Sequence, residues 1–133
     1  MSDARQVLLA FASGSEDLIP EFLERFRAVA PALDILVVSE FPPPQGRWIP
    51  WKLGRSYEEN RTRILSDLNG AVPAWVAVIS QPRQPFWAMR RLAVALGRHR
   101  TLVFNENLDH VRLHPRSAIS ILQIGRASCR ERV

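Results

Sequence analysis

The densest group of side chains that could do chemistry follows directly on an apolar run and consists of Asn105, Glu106, Asn107, Asp109 and His110. Glu106 or Asp109 would serve as a general base, and both carboxylates with His110 would ligate a hard cation. No metal motif has this spacing, so we assign no metal site. The competing interpretation is structural: the asparagines bond to their own loop backbone, Asp109 caps a turn and His110 lies on the surface.

A second group lies in an unusually long connection, residues 40–55, which is rich in proline. Connections between a strand and a helix normally have about 2–6 residues, and long ones often carry function. Trp48 and Trp51 offer aromatic faces for a sugar ring or a nucleobase. Charge for phosphates would come from Arg47, Lys52 and Arg55. The alternative is that the two tryptophans simply fold this connection down onto the edge of the sheet.

Two further segments follow apolar runs. In Ser80–Trp87, Gln81 and Arg83 could contact a ligand, although two prolines also suit a rigid turn. Ser13–Asp17 stands at a predicted helix N-terminus, a position that favours phosphate. It has one glycine, however, and its two carboxylates would repel a phosphate. We therefore interpret it as an ordinary helix cap.

The elements that must position these groups alternate regularly along the chain. Four apolar runs of strand length are Gln6–Ala12, Asp34–Ser39, Ala74–Ser80 and Thr101–Asn105. Between them, apolar residues recur with the helical period. The predicted helices are Glu16–Val29, a segment from Ser56 to Asn69, and Phe86–Leu96, with a final helix opened by Pro115. Serine followed three residues later by glutamate predicts capping boxes at Ser13 and Ser56.

Strands that are apolar throughout and alternate with helices predict an α/β fold. We expect a Rossmann-like layered parallel sheet of about four strands with helices on both faces, truncated at its C-terminus. The preferred strand order is 3-2-1-4, and the alternative is 2-1-3-4. In such sheets ligands bind beyond the carboxyl ends of the strands, where the four polar groups lie.

The last ten residues, 124–133, resemble the translation of a sequencing adapter. We therefore expect a natural domain over residues 1–123, followed by a non-native tail. In this interpretation the natural sequence stops at Gln123 because the DNA sequencing read stopped there. The tail carries three arginines and one glutamate, so without it the net charge falls from +5 to +3. It also contains Cys129, the only cysteine. A thiol nucleophile, a cysteine metal site and a nucleic-acid surface are therefore not expected.

No apolar run approaches the roughly 18 residues needed to cross a membrane, and the N-terminus has no long apolar stretch. We expect no transmembrane segment and a cytoplasmic location, at the inner face of the membrane in the full-length protein.

Several stretches together resemble a known group of proteins. They are Ser39–Pro44, Arg47–Trp51, Leu102–His110 and Leu113–Ser117. They resemble an N-terminal region of large bacterial glycosyltransferases from acidobacteria-like lineages, and the resemblance covers most of Val7–Leu122. In those proteins the region precedes a basic, aromatic linker and a family-2-type glycosyltransferase domain. The resemblance implies a sugar-transfer context, such as cell envelope polysaccharide, but supplies no catalytic residue here. This chain has no Asp-x-Asp motif, so the catalytic module and any divalent metal would lie downstream.

The leading hypothesis is the N-terminal fragment of a bacterial glycosyltransferase that binds a nucleotide-sugar or a glycan acceptor, or positions the missing C-terminal domain. It needs no cofactor of its own. The candidate binding residues are Arg47, Trp48, Trp51, Lys52, Arg83, Asn105, Glu106 and Asp109. The alternative is a non-catalytic interaction module that docks through the Pro/Trp-rich loop, residues 40–55. Burial of both tryptophans without a polar cleft at the strand ends would favour that alternative.

Overall fold

The computed structural model describes residues 5–80, 87–105 and 107–112 of the 133-residue chain. They form an α/β fold, as predicted, with one six-stranded sheet and helices on both of its faces. The strands are β1 (Gln6–Phe11), β2 (Asp34–Ser39), β3 (Arg47–Pro50), β4 (Val72–Ile79), β5 (Thr101–Phe104) and β6 (His110–Arg112). The helices are α1 (Ile19–Arg27), α2 (Tyr57–Leu68) and α3 (Trp87–Gly97).

The sheet separates two hydrophobic cores. Side chains alternate between its faces, so Val7 and Leu9 of β1 pack with α2 and α3, whereas Leu8 and Ala10 pack with α1. All four side chains are fully buried. This burial on both faces explains why the strands are continuous apolar runs rather than alternating patterns. The described core on the α1 side contains three phenylalanines, and the ring centroids of Phe22 and Phe104 lie 5.1 Å apart in an edge-to-face arrangement.

The strand order is β3-β2-β1-β4-β5-β6. β1 to β5 pair in parallel, and β6 is antiparallel to β5. Among the four predicted strands, this is the alternative order 2-1-3-4, so the preferred order 3-2-1-4 is wrong for those four. The preferred order placed the strand that follows the long connection, now β4, at the outer edge of β2. In the structure β3, which lies within that connection, occupies this edge. β4 therefore pairs on the other side of β1.

Two strands were not predicted, and both come from segments expected to be loops. In β3, Trp48 and Ile49 pair with Val37 and Val38 of β2, which turns the middle of the Pro/Trp-rich loop into an edge strand. β6 returns on β5 through a tight hairpin, in which the Asn105 amide donates to the carbonyl of Asp109 at 2.9 Å. A short segment pairs with an existing edge whatever its own propensity, because its partner is already in place.

Helix ends follow the sequence signals in part. The capping box at Ser56 and Glu59 is confirmed, and its hydrogen bonds hold the pKa of Glu59 below its ordinary value. Asn69 ends α2 in the left-handed conformation, as its position before Gly70 predicts. The box predicted at Ser13 is wrong, because Ser13 is buried elsewhere and Ser15 takes the cap position. The segment predicted as a final helix from Pro115 and the tail 124–133 lie outside the described residues.

In the part of the chain that the structure describes, every helix is too short or too polar to cross a lipid bilayer.

Candidate functional site

The carboxyl ends of the five parallel strands lie along one edge of the sheet. The strand order reverses between β1 and β4, because β2 and β3 continue to one side of β1 while β4 and β5 continue to the other. In open α/β sheets, ligands bind in the crevice at such a reversal. The segments that follow β1 and β4 therefore decide whether this position is open.

Protein groups occupy that crevice. The hydroxyl of Ser13, fully buried after β1, donates to the carbonyl of Ile79 at 2.7 Å and accepts from its amide at 2.9 Å. Above them, the Nη1 atom of Arg90 on α3 donates to the carbonyl of Ser13 at 3.3 Å. Arg90 is itself buried, and burial lowers the pKa of its guanidinium. Ser13 and Arg90 thus close the space between β1 and β4 at this point.

Replacing Ser13 with alanine is expected to destabilise the protein by about 1–3 kcal/mol, because the buried amide of Ile79 loses its partner. Urea denaturation followed by circular dichroism measures the change. Ser66→Ala is the matched control, since the exposed Ser66 side chain should shift stability by no more than about 0.5 kcal/mol. Equal stabilities of the two variants would contradict the role given to Ser13.

Beside the closed crevice lies a cleft of about 630 Å³, at the carboxyl ends of β1 and β2. We call it the acidic cleft. Its walls are the connection from β1 to α1 and the start of the connection from β2 to β3. It is lined by Ala12, Gly14, Ser15, Glu16, Asp17, Ile19, Pro20, Ser39, Glu40, Phe41, Pro42, Pro43 and Pro44.

Local sequence shapes both walls. The hydroxyl of Ser39 donates to the carbonyl of Phe41 at 2.6 Å and turns the chain as it leaves β2. The three prolines that follow cannot enter a helix and hold the wall extended. On the other wall a single 3₁₀ turn, Glu16–Leu18, carries two carboxylates just before α1, which has Pro20 in its first turn. The ring of Phe41 is 64% exposed at the rim.

The described lining of the acidic cleft contains three carboxylates, on Glu16, Asp17 and Glu40, and no lysine, arginine or histidine. Within the described ranges, no group of three or more metal-binding side chains converges on one point. The chemistry available is therefore hydrogen-bond acceptance by separate carboxylates next to one aromatic face.

The two tryptophans of the Pro/Trp-rich loop have different environments. Trp51 is only 5% exposed and belongs to the core under α2 and α3. Trp48 is 38% exposed, and its indole Nε1 donates to the carbonyl of Ser39 at 3.0 Å. The interpretation that the tryptophans fold this loop onto the edge of the sheet therefore applies fully to Trp51 and partly to Trp48.

The cations of the same loop are dispersed. Arg47 begins β3 and lines a separate cavity with Arg5 and residues 68–71, at the opposite, amino-terminal edge of the sheet. The side chain of Lys52 is exposed, and its backbone is held by the side chain of Asn60. The Nη1 atom of Arg55 is buried without a hydrogen-bond partner. The structure does not bring these three cations together.

The candidates after β5 have structural roles where they are described. The side-chain oxygen of Asn105 accepts from the amides of Asn107 and Asp109, at 2.9 and 3.1 Å. Asp109 is exposed. Arg83 and Glu106 lie outside the described residues. None of the eight predicted site residues is among the described lining of the acidic cleft.

The residues that do line the acidic cleft were underweighted by sequence reasoning, although a signal existed. Glu16 and Asp17 follow the first predicted strand, and Glu40 follows the second. Both candidate strand orders place these two strands side by side. The three carboxylates could therefore have been expected at one place.

Comparisons with family models, with curated proteins and with solved structures find no match to this chain. The case for a function therefore rests on the geometry and charge of the acidic cleft.

Proposed function

We propose that this domain binds a saccharide in the acidic cleft, as the glycan-holding part of a bacterial glycosyltransferase. The observation that carries the proposal is the cleft of about 630 Å³ at the carboxyl ends of β1 and β2. Its volume falls within the roughly 300–1,000 Å³ typical of small-ligand sites, and it lies at the carboxyl-terminal edge of the sheet, beside the closed β1–β4 crevice.

The chemistry of the lining suits sugar rings. Carboxylates accept hydrogen bonds from neighbouring hydroxyls, and those of Glu16, Asp17 and Glu40 are available on two walls. The exposed ring of Phe41 offers an apolar face on which the C–H side of a pyranose can pack. The three prolines that follow Phe41 restrict the backbone, which lowers the entropic cost of ordering this wall when a ligand binds.

The charge of the cleft favours a glycan acceptor over a nucleotide-sugar donor. A donor carries a diphosphate, which normally requires arginine, lysine or a metal ion. The described lining offers none of these groups, and Arg47 lies at the opposite edge of the sheet. In this proposal, sugar transfer itself belongs to a further domain.

Calorimetric titration with a panel of neutral and amino oligosaccharides tests the proposal. Phe41→Ala is expected to weaken binding by roughly tenfold, about 1.4 kcal/mol, because it removes the stacking face. Leu53→Ala is the control, since Leu53 is 70% exposed in the same connection but outside the cleft lining. The proposal fails if no saccharide binds, or if Phe41→Ala and Leu53→Ala bind equally well.

Docking through the Pro/Trp-rich loop is a second candidate, favoured by the exposure of Phe41 and Leu53. Its other premise is not met, because Trp48 is partly exposed and a polar cleft does open at the strand ends. If the loop docks on a downstream domain, Leu53→Ala is expected to lower the melting temperature of a protein that contains both domains. If the cleft binds a saccharide and the loop does not dock, the same variant should leave that melting temperature unchanged.

A further inference from the structure

We infer that a second, smaller cavity of this domain binds a short-chain carboxylic acid, with Arg55 holding the carboxylate. The cavity has a volume of about 120 Å³ and lies on the face of the sheet that α2 and α3 cover. Trp51, which follows directly on β3, forms part of its wall. The cavity shares no described lining residue with the acidic cleft, so the inference does not depend on the proposed function.

The first observation is an enclosed hydrogen-bond donor that lacks an acceptor. Arg55 lines the cavity, and its Nη1 atom is buried without a hydrogen-bond partner in the described part of the chain. The acidic side chains that follow in sequence are placed elsewhere: Glu59 accepts from the amide of Ser56 at 2.8 Å, and Glu58 lies 4.0 Å from Arg61. A buried guanidinium nitrogen without an acceptor carries an uncompensated desolvation cost, which an anionic oxygen in the cavity would remove.

The second observation is that the N-termini of two helices meet at this cavity. Tyr57 is the first residue of α2, Ala88 is the second residue of α3, and both line the cavity. Each helix N-terminus carries a partial positive charge of roughly half a unit, which adds to the charge of Arg55. A second guanidinium, that of Arg91, lies 4.9 Å from the centre of the Tyr57 ring. The described lining contains no carboxylate, so the electrostatic balance favours an anion.

The third observation concerns which anion fits. Asn60 also lines the cavity, but its side chain is already bonded to the backbone of Lys52, at 3.3 and 3.1 Å. The walls are mainly apolar and include Trp51, Leu53 and Met89. A phosphate needs several donors, whereas a carboxylate with a hydrocarbon tail pairs with one guanidinium and buries its tail against these walls. The volume corresponds to about four water molecules, at about 30 Å³ each, which suits a short acid and is too small for a nucleotide.

Nuclear magnetic resonance titration of the whole chain with butyrate, butyramide and inorganic phosphate tests the inference. Butyrate is expected to bind about tenfold more tightly than butyramide, which has nearly the same shape but no charge. It should also bind about tenfold more tightly than phosphate, which has charge but no apolar tail. The indole signal of Trp51 and the Nε signal of Arg55 should shift with butyrate, because both residues line the cavity.

Three variants locate the site. Arg55→Gln is expected to weaken butyrate binding about tenfold, to the level of butyramide. Arg61→Gln is the matched control, since Arg61 is an exposed arginine of α2 outside the described lining, and it should keep the affinity of the unchanged chain. Ala88→Leu keeps the guanidinium but fills the cavity, so it should weaken butyrate and butyramide alike. Circular dichroism checks that the variants are folded.

Each remaining outcome overturns a stated part of the inference. Equal binding of butyrate and butyramide to the unchanged chain overturns recognition of the carboxylate, and this comparison needs no variant. Tighter binding of phosphate overturns the choice of a carboxylic acid. Butyrate binding that survives both Arg55→Gln and Ala88→Leu overturns the assignment to this cavity. Absence of butyrate binding overturns the inference as a whole and leaves saccharide binding in the acidic cleft untouched.

Discussion

Trp51→Ala is expected to lower the free energy of unfolding by about 3–5 kcal/mol, among the largest effects for a single side chain in this domain. The indole is 5% exposed and packs in the core with Ile49 and Ile64, under α2 and α3. Removing it leaves a cavity that a short strand at the sheet edge cannot close without losing its register. Urea denaturation followed by far-ultraviolet circular dichroism measures the change without relying on tryptophan fluorescence.

Trp48→Ala provides the comparison within the same strand connection. Its side chain is 38% exposed and makes one hydrogen bond, to the carbonyl of Ser39. The expected cost is about 1–2 kcal/mol. If the two variants are equally stable, Trp51 is not the anchor of this loop and the assignment of the loop to the fold is wrong.

Gly46→Ala is expected to destabilise the protein by about 2–4 kcal/mol, from left-handed backbone strain together with steric overlap. Gly46 has φ +85° at the point where the chain crosses the α1 side of β2 to enter β3. A Cβ atom there would lie 2.9 Å from the Cγ2 of Ile35 and 3.0 Å from its carbonyl oxygen. Backbone at such a distance cannot move aside, so β3 would detach or shift.

Two other glycines separate the contributions to this effect. Gly70 has the same φ of +85° but open space around its Cβ position, so Gly70→Ala should cost only about 1 kcal/mol. Gly54 has neither constraint, and Gly54→Ala should be neutral within about 0.5 kcal/mol. Thermal unfolding of the three variants ranks them. A Gly46 variant no less stable than the Gly70 variant would refute the close crossing.

The fold class could be predicted because it depends on pattern. An apolar run such as Gln6–Ala12 must be buried on both faces, and helices with one apolar stripe are what cover it. The two additional strands could not be predicted in the same way. Trp48 and Ile49 form a strand because the edge of β2 beside them is available for pairing. Local strand propensity does not contain this information, because it does not depend on which strand lies alongside.

The sequence placed polar groups at the carboxyl ends of the strands, but it did not predict the residues that line the acidic cleft. Polar groups at the carboxyl ends of strands were expected to converge, and the acidic cleft opens there. The emphasis on Arg47 and Lys52 assumed that the whole loop stays at that edge. Because the loop returns along β2 to start β3, Arg47 lies at the far edge, and Glu40 and Phe41 remain beside the cleft.

The apolar periodicity and the capping and turn residues were sufficient to predict the alternation of strands and helices, the capping box at Ser56 and the end of α2 at Asn69. These features depend on residues within one turn or one strand of each other. Three features required the folded structure: the strand order, the closure of the β1–β4 crevice by Ser13 and Arg90, and the presence of Glu16 and Glu40 in one cleft. They depend on which sheet edges are still unpaired when segments distant in sequence pack together, and the local sequence of each segment does not determine that outcome.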